Sequence, residues 1–138
     1  MVEEKELIDA AAKARLKARV PASGFRVGAA LLTKEGKVFT GCNVELGTLL
    51  YSICAERCAI VKAVSEGYQE FAAIAIVSDQ KDPVSPCGIC RQFLIDFGGE
   101  LKVIMSSPDQ SRIIRSTAKE LLPMAFSGTE KGISEEER

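Results

Sequence analysis

Hydrophobic and polar positions change period several times along the 138 residues, and each change marks an element. Residues 3–19 (EEKELIDAAAKARLKAR) repeat apolar positions at helical spacing among Ala, Leu, Lys and Glu, which predicts a helix. Pro21-Ala22-Ser23-Gly24 breaks it. Residues 25–33 and 37–44 flank Lys34-Glu35-Gly36 and predict a β-hairpin. A loop over 45–52 leads to a second helix at 54–65, closed by Gly67. Residues 71–77 (FAAIAIV) are apolar on both faces, as in a buried central strand. After a loop over 79–86, a third helix covers 87–97 and stops at Gly98-Gly99. Two more strands follow at 101–105 and 112–115. Thr117 and Glu120 can form a capping box for a last short helix, which Pro123 ends.

The order α-β-β-α-β-α-β-β-α predicts an α/β fold, a three-layer α/β/α sandwich around a five-stranded mixed sheet. Only residues 106–111 join the fourth and fifth strands, whereas a parallel crossover needs about a dozen. The last two strands should therefore be antiparallel. The length suits one domain, taken as residues 1–127. The polar, charged run 128–138 has little to bury and predicts a loose tail.

Charge narrows the partners. The net charge is −1, with Lys and Arg spread among the acids, so the basic face of a nucleic-acid binder is missing. A small, diffusible partner fits better. The N-terminus shows no basic region followed by an apolar one, and no apolar run reaches membrane-spanning length. The expectation is a cytoplasmic chain with no membrane partner. Its five cysteines (42, 54, 58, 87, 90) are an odd number, which points to metal or redox chemistry rather than disulfides.

The densest chemical signal is Cys54-Ala55-Glu56 followed by Pro86-Cys87-Gly88-Ile89-Cys90. Cys54, Cys87 and Cys90 supply three soft ligands, one short of a closed zinc shell, and a catalytic zinc keeps that fourth position open for water. Glu56, two residues after the first ligand, can handle the water's proton without being a ligand. A His-x-Glu…Pro-Cys-x-x-Cys pattern with a three-cysteine version marks zinc deaminases of nucleobases; here Cys54 stands in the histidine's place, in a chain with no histidine. Both ligand segments begin predicted helices, whose N-termini favour thiolates. Three thiolates overload the metal with negative charge, and Arg57 is the natural group to withdraw some of it. Alternatives remain. Cys58, one helical turn after Cys54, could close a four-cysteine structural site, although Glu56 would then have no task. A thioredoxin-like Cys87–Cys90 pair would leave Cys54 and Glu56 unexplained. Cys42 and Cys58 also read as small buried hydrophobes, and Arg57 alone as a solvated helix residue.

On these residues the chain resembles the small, homotetrameric, three-cysteine cytidine deaminases. The likeness extends to Phe25-Arg26-Val27-Gly28-Ala29-Ala30, Gly41-Cys42-Asn43-Val44-Glu45, Cys87-Gly88-Ile89-Cys90-Arg91-Gln92 and Leu121-Leu122-Pro123-Met124-Ala125-Phe126. It implies one Zn²⁺ per subunit and a nucleoside substrate. Asn43 and Glu45 would hold the ribose hydroxyls, and Phe25 would flank the nucleoside. Phe126 would reach a neighbouring subunit's pocket, with the backbone of Ala55 and of Ser85-Pro86 touching the base. On the residues alone, Phe25 reads as core, Asn43 as a hairpin end and Glu45 as a solvated loop acid. Phe126 suits either packing or substrate contact.

Residues 46–51 depart from the family, with Leu49 where it carries a tyrosine, and residues 20–23 lack its aromatic between Pro and Ser. The related blasticidin-S deaminases have a tyrosine where this chain has Glu45. The function implied is hydrolytic deamination of cytidine and deoxycytidine, with Glu56 passing the water's proton to N3 and then protonating the departing amino group. The alternatives are a deaminase of a modified or antibiotic cytosine nucleoside and, outside enzymes, a small zinc-stabilised interaction module.

Overall fold

The computed structural model describes residues 2–126, so the tail expected at 128–138 lies outside the described residues. The elements are α1 (Glu4–Arg15), β1 (Val27–Thr33), β2 (Val38–Cys42), α2 (Ala55–Ser65), β3 (Phe71–Ser78), α3 (Gly88–Asp96), β4 (Lys102–Ser106), β5 (Ile113–Thr117) and α4 (Ala118–Leu121). They form one five-stranded mixed sheet in the order β2-β1-β3-β4-β5. Only the β3–β4 pair is parallel, and β5 returns antiparallel to β4 as the short connection required.

Alternation along the strands builds two cores. On one face Ile74 and Ile76 of β3 join Leu31, Ile60, Leu94 and Val103 beneath α2 and α3. On the other, Ala73, Ala75 and Val77 meet Leu7, Ile8 and Ala11 of α1. This is the expected three-layer sandwich, and it explains why β3 is apolar on both faces. Fully burying one such Ile or Leu side chain contributes about 1.5–3 kcal/mol.

Several boundaries differ from expectation. α1 ends at Arg15 although the helical pattern runs to Arg19. The backbone of Arg19 is drawn into the sheet layer instead, donating to the Asn43 carbonyl at 3.0 Å and accepting from the Glu45 amide at 2.7 Å. That tertiary pairing overrides local propensity. The 45–52 loop contains a 3₁₀ turn at Leu49–Tyr51. β5 runs on to Thr117, in register with Lys102. Thr117 then caps α4, its hydroxyl accepting from the Glu120 amide at 3.2 Å. The same hydroxyl reaches the Glu120 carboxylate at 3.1 Å, so the reciprocal contact of the capping box is made to the side chain.

Two glycines set how closely the helices approach. A Cβ on Gly28 would lie 2.0 Å from the Ala11 carbonyl oxygen of α1. A Cβ on Gly41 would lie 2.5 Å from both the Ala55 oxygen and the Ala59 nitrogen of α2. Backbone cannot yield as a side chain tip can. Gly28→Ala and Gly41→Ala should each lower stability by about 1–3 kcal/mol in urea titrations. Gly47→Ala, with nothing within 4 Å, should stay within about 0.5 kcal/mol of the parent.

Candidate active site

Cys54 is the N-cap of α2 and Cys87 the N-cap of α3, with Cys90 in the first turn of the latter. α3 follows the carboxyl end of β3, while α2 lies over β1 and β2, so both helix starts meet at that end of the sheet. The three sulfurs lie within 4.8 Å of one another, those of Cys54 and Cys87 being 3.7 Å apart. Two sulfurs on a tetrahedral zinc with Zn–S of about 2.3 Å sit about 3.8 Å apart. Cys58 does not join this cluster, which removes the four-cysteine reading.

Charge makes the same demand. Contacts with Cys90 and Arg57 bring the Cys54 thiol down to about 5 despite partial burial. Cys90 moves upward, because the Cys54 sulfur and burial both oppose a second negative charge there. Three thiolates this close need a cation among them, and the donor set suits zinc. Arg57 serves from the side: its Nη2 donates to Cys54 Sγ at 3.3 Å. Its Nε is buried without a hydrogen-bond partner.

Glu56 points inward from the first turn of α2 and is only 4% exposed. Burial pushes its carboxyl up to about 7, with the Cys54 charge acting in the same direction. It lines a cavity of about 230 Å³ together with Phe25, Asn43, Cys54, Ala55, Ser85 and Cys87. Val27, Ile76 and Val84 complete the wall. Seven of the expected site residues therefore share one cavity. Asn43 also fastens the start of β1, its Oδ1 accepting from the Val27 amide at 2.8 Å and its Nδ2 donating to the Phe25 carbonyl at 2.9 Å. One amide N–H remains free of that pairing.

Glu45 and Phe126 stand apart. The Glu45 carboxylate accepts from the amides of Ala22 and Ser23, both at 3.1 Å, and from the Ser23 hydroxyl at 2.5 Å. Those bonds hold the carboxyl below its usual range, the Ser23 hydroxyl most strongly. Phe126 is 76% exposed, and its carbonyl accepts from Gln92 Nε2 at 3.3 Å. Sequence reasoning missed the lining role of Val27, Ile76 and Val84, whose apolar character reads as ordinary core. It assigned Arg91, with Gln92, only to supporting its helix and a subunit interface. The structure gives this side chain three bonds, to the Pro86 carbonyl at 2.8 Å, the Leu121 carbonyl at 2.8 Å and Ser85 Oγ at 3.0 Å. Arg91 thus fixes the 85–86 segment beside the thiols.

Comparison with known proteins agrees with this geometry. The family described as the cytidine and deoxycytidylate deaminase zinc-binding region matches residues 1–106. A probable cytidine deaminase of Dictyostelium discoideum is 51% identical over 126 residues, covering 91% of this chain and 84% of that protein. A cytidine deaminase of Sporosarcina psychrophila is 45% identical over 124 residues, covering 89% and 90% of the two chains. The crystal structure of cytidine deaminase from Burkholderia pseudomallei superposes with a TM-score of 0.85 at 46% identity, covering 91% of this chain and all of that one.

The metal assignment separates the five cysteines. Cys54→Ser, Cys87→Ser and Cys90→Ser should each lose most of one zinc equivalent per chain by elemental analysis. Cys42→Ser and Cys58→Ser should retain it.

Proposed function

This chain belongs to the cytidine and deoxycytidylate deaminase zinc-binding family, and from that premise we propose how its residues divide the work. It is a zinc-dependent enzyme that deaminates cytidine, water replacing the 4-amino group to give uridine and ammonia. The observation that carries this reading is the meeting of three cysteine sulfurs with a buried carboxylate that is not a ligand, on the wall of one cavity. A structural zinc site would need no such carboxylate. Relatives at 45–51% identity favour cytidine over a modified or antibiotic cytosine nucleoside; we propose that deoxycytidine is accepted as well.

Cys54, Cys87 and Cys90 would hold the zinc, which when bound acidifies a water and so supplies a nucleophile at neutral pH. Glu56 would carry one proton of the attacking water to N3 and then the proton of the new C4 hydroxyl to the amine, which leaves as ammonia. Burial beside the ring shields this transfer from bulk solvent. Arg57 draws negative charge off Cys54. Arg91 holds Ser85 and Pro86 so that their backbone, with that of Ala55, meets the pyrimidine edge. Phe25 flanks the nucleoside. The free amide hydrogen of Asn43 donates to a ribose oxygen, and Glu45 accepts from a ribose hydroxyl in exchange for that of Ser23. We place the enzyme in cytoplasmic pyrimidine salvage. Among the described residues no helix is long and apolar enough to cross a membrane.

The working form is a homotetramer with pocket walls shared between subunits. A cavity of about 230 Å³ falls below the roughly 300–1,000 Å³ usual for small-molecule sites. Large apolar side chains stand exposed elsewhere on the chain, Leu50 at 82% and Phe126 at 76% among them. Leu49, Leu50 and Tyr51 are consecutive and all exposed, an apolar run that a neighbouring subunit would cover.

Ammonia release from cytidine tests the activity, and a zinc-binding module that is not an enzyme would give none. Glu56→Gln should keep zinc and fold yet lose turnover by about two to four orders of magnitude; loss of zinc in that variant would make Glu56 structural. Light scattering should give a particle of four chains. Phe126→Ala should raise KM for cytidine by about tenfold, the worth of one aromatic contact, with zinc content unchanged. A fully active monomer would overturn the shared pocket.

A further inference from the structure

We propose that the cavity across the outer edge of β2 is a second ligand site, for a small molecule bearing phosphate groups. The cavity measures about 320 Å³ and shares no lining residue with the deaminase cavity. That volume is within the range of small-molecule sites. β2 is an edge strand of the sheet, and α1 and α2 pass on either side of it, so the walls, Lys17 apart, come from three regular elements.

Its charge is one-sided. Lys13, Lys17 and Lys62 line it, and no carboxylate does. Lys13 lies in the last turn of α1 and Lys17 in the turn after it, while Lys62 comes from α2. Lys62 is already aimed, its Nζ donating to the Thr40 carbonyl at 2.6 Å, which leaves two donors for a ligand. Lys62 and Lys17 also act on Cys42, although burial and Cys58 still hold its thiol above the usual range. An anion entering the cavity would meet three ammonium side chains and no carboxylate among the lining residues. Lysine recognises phosphate as a compact point charge. A single carboxylate would balance one of the three, whereas a phosphate ester or polyphosphate balances two or more. Ala10, Ala14 and the two thiols offer an uncharged wall for the remainder of the molecule.

The zinc-loaded protein can be tested with pyrophosphate and with ATP, each against potassium chloride at matched ionic strength. Cys42 and Cys58 line the cavity, so their alkylation by iodoacetamide, mapped by mass spectrometry, reports occupancy. Saturating pyrophosphate or ATP should slow both cysteines about tenfold and raise the thermal midpoint by a few degrees. The variant carrying Lys13→Gln, Lys17→Gln and Lys62→Gln should lose both effects while keeping its zinc. Should that variant not fold, Lys17→Gln alone should weaken protection about tenfold. Stronger protection by ATP would identify a phosphorylated organic molecule, and equal protection an inorganic polyphosphate. Unprotected thiols, or equal protection in parent and lysine variants, would overturn the proposal. None of these readouts depends on deaminase activity.

Discussion

The contact of helix α2 with the bare backbone of β2 at Gly41 governs the site more than any other single feature. At that point the sheet and the first turns of the helix are too close for even one methyl group. The distance decides where Cys54, Glu56 and Arg57 project, since all three belong to the residues that open this helix. The ligand geometry is therefore inherited from packing. A catalytic constellation tolerates only small errors of position, and backbone-to-backbone seating is stiffer than any arrangement that relies on side chain tips.

Electrostatics then explains why the cluster looks as it does. Two helix N-termini bring partial positive charge to the sulfurs, and Arg57 adds a full charge at one of them. Together they offset part of the cost of crowding thiolates. Glu56, two residues after Cys54, is buried facing the cavity and feels the Cys54 charge as well. The proposed division between groups that hold metal and a group that moves protons would thus be built into the first turns of two helices. Arg91 does a comparable task for neutral atoms, tying the 85–86 segment and the end of α4 to one guanidinium.

Much of this was legible before any coordinates. Strand β3 announced its central place by its unbroken apolar run over residues 71–77, and the short link after β4 dictated an antiparallel return. The meeting of Cys54, Cys87 and Cys90 beside a buried Glu56 was readable because thiols and an acid at fixed spacing have few other uses. What stayed hidden depended on distant partners. The helical pattern through Arg19 gives no hint that Asn43 and Glu45 claim its backbone. Val84 reads as any apolar loop residue until the fold sets it beside Phe25. The bond between Glu45 and Ser23 is equally invisible, because its donors lie more than twenty residues away.

The split origin of the three sulfurs bears on how the molecule comes apart. Cys54 belongs with α2 and the β1–β2 hairpin, built from contacts close in sequence; Cys87 and Cys90 belong with α3, which packs on α4 beyond β5. The central strand β3 joins these portions through one long-range antiparallel pairing and one crossover, the kind of closure that is slow to form. Zinc bound across the seam would act as a clasp between two locally assembled halves. Its escape would then require them to part, so metal exchange would keep time with partial unfolding rather than with ligand substitution at an exposed ion.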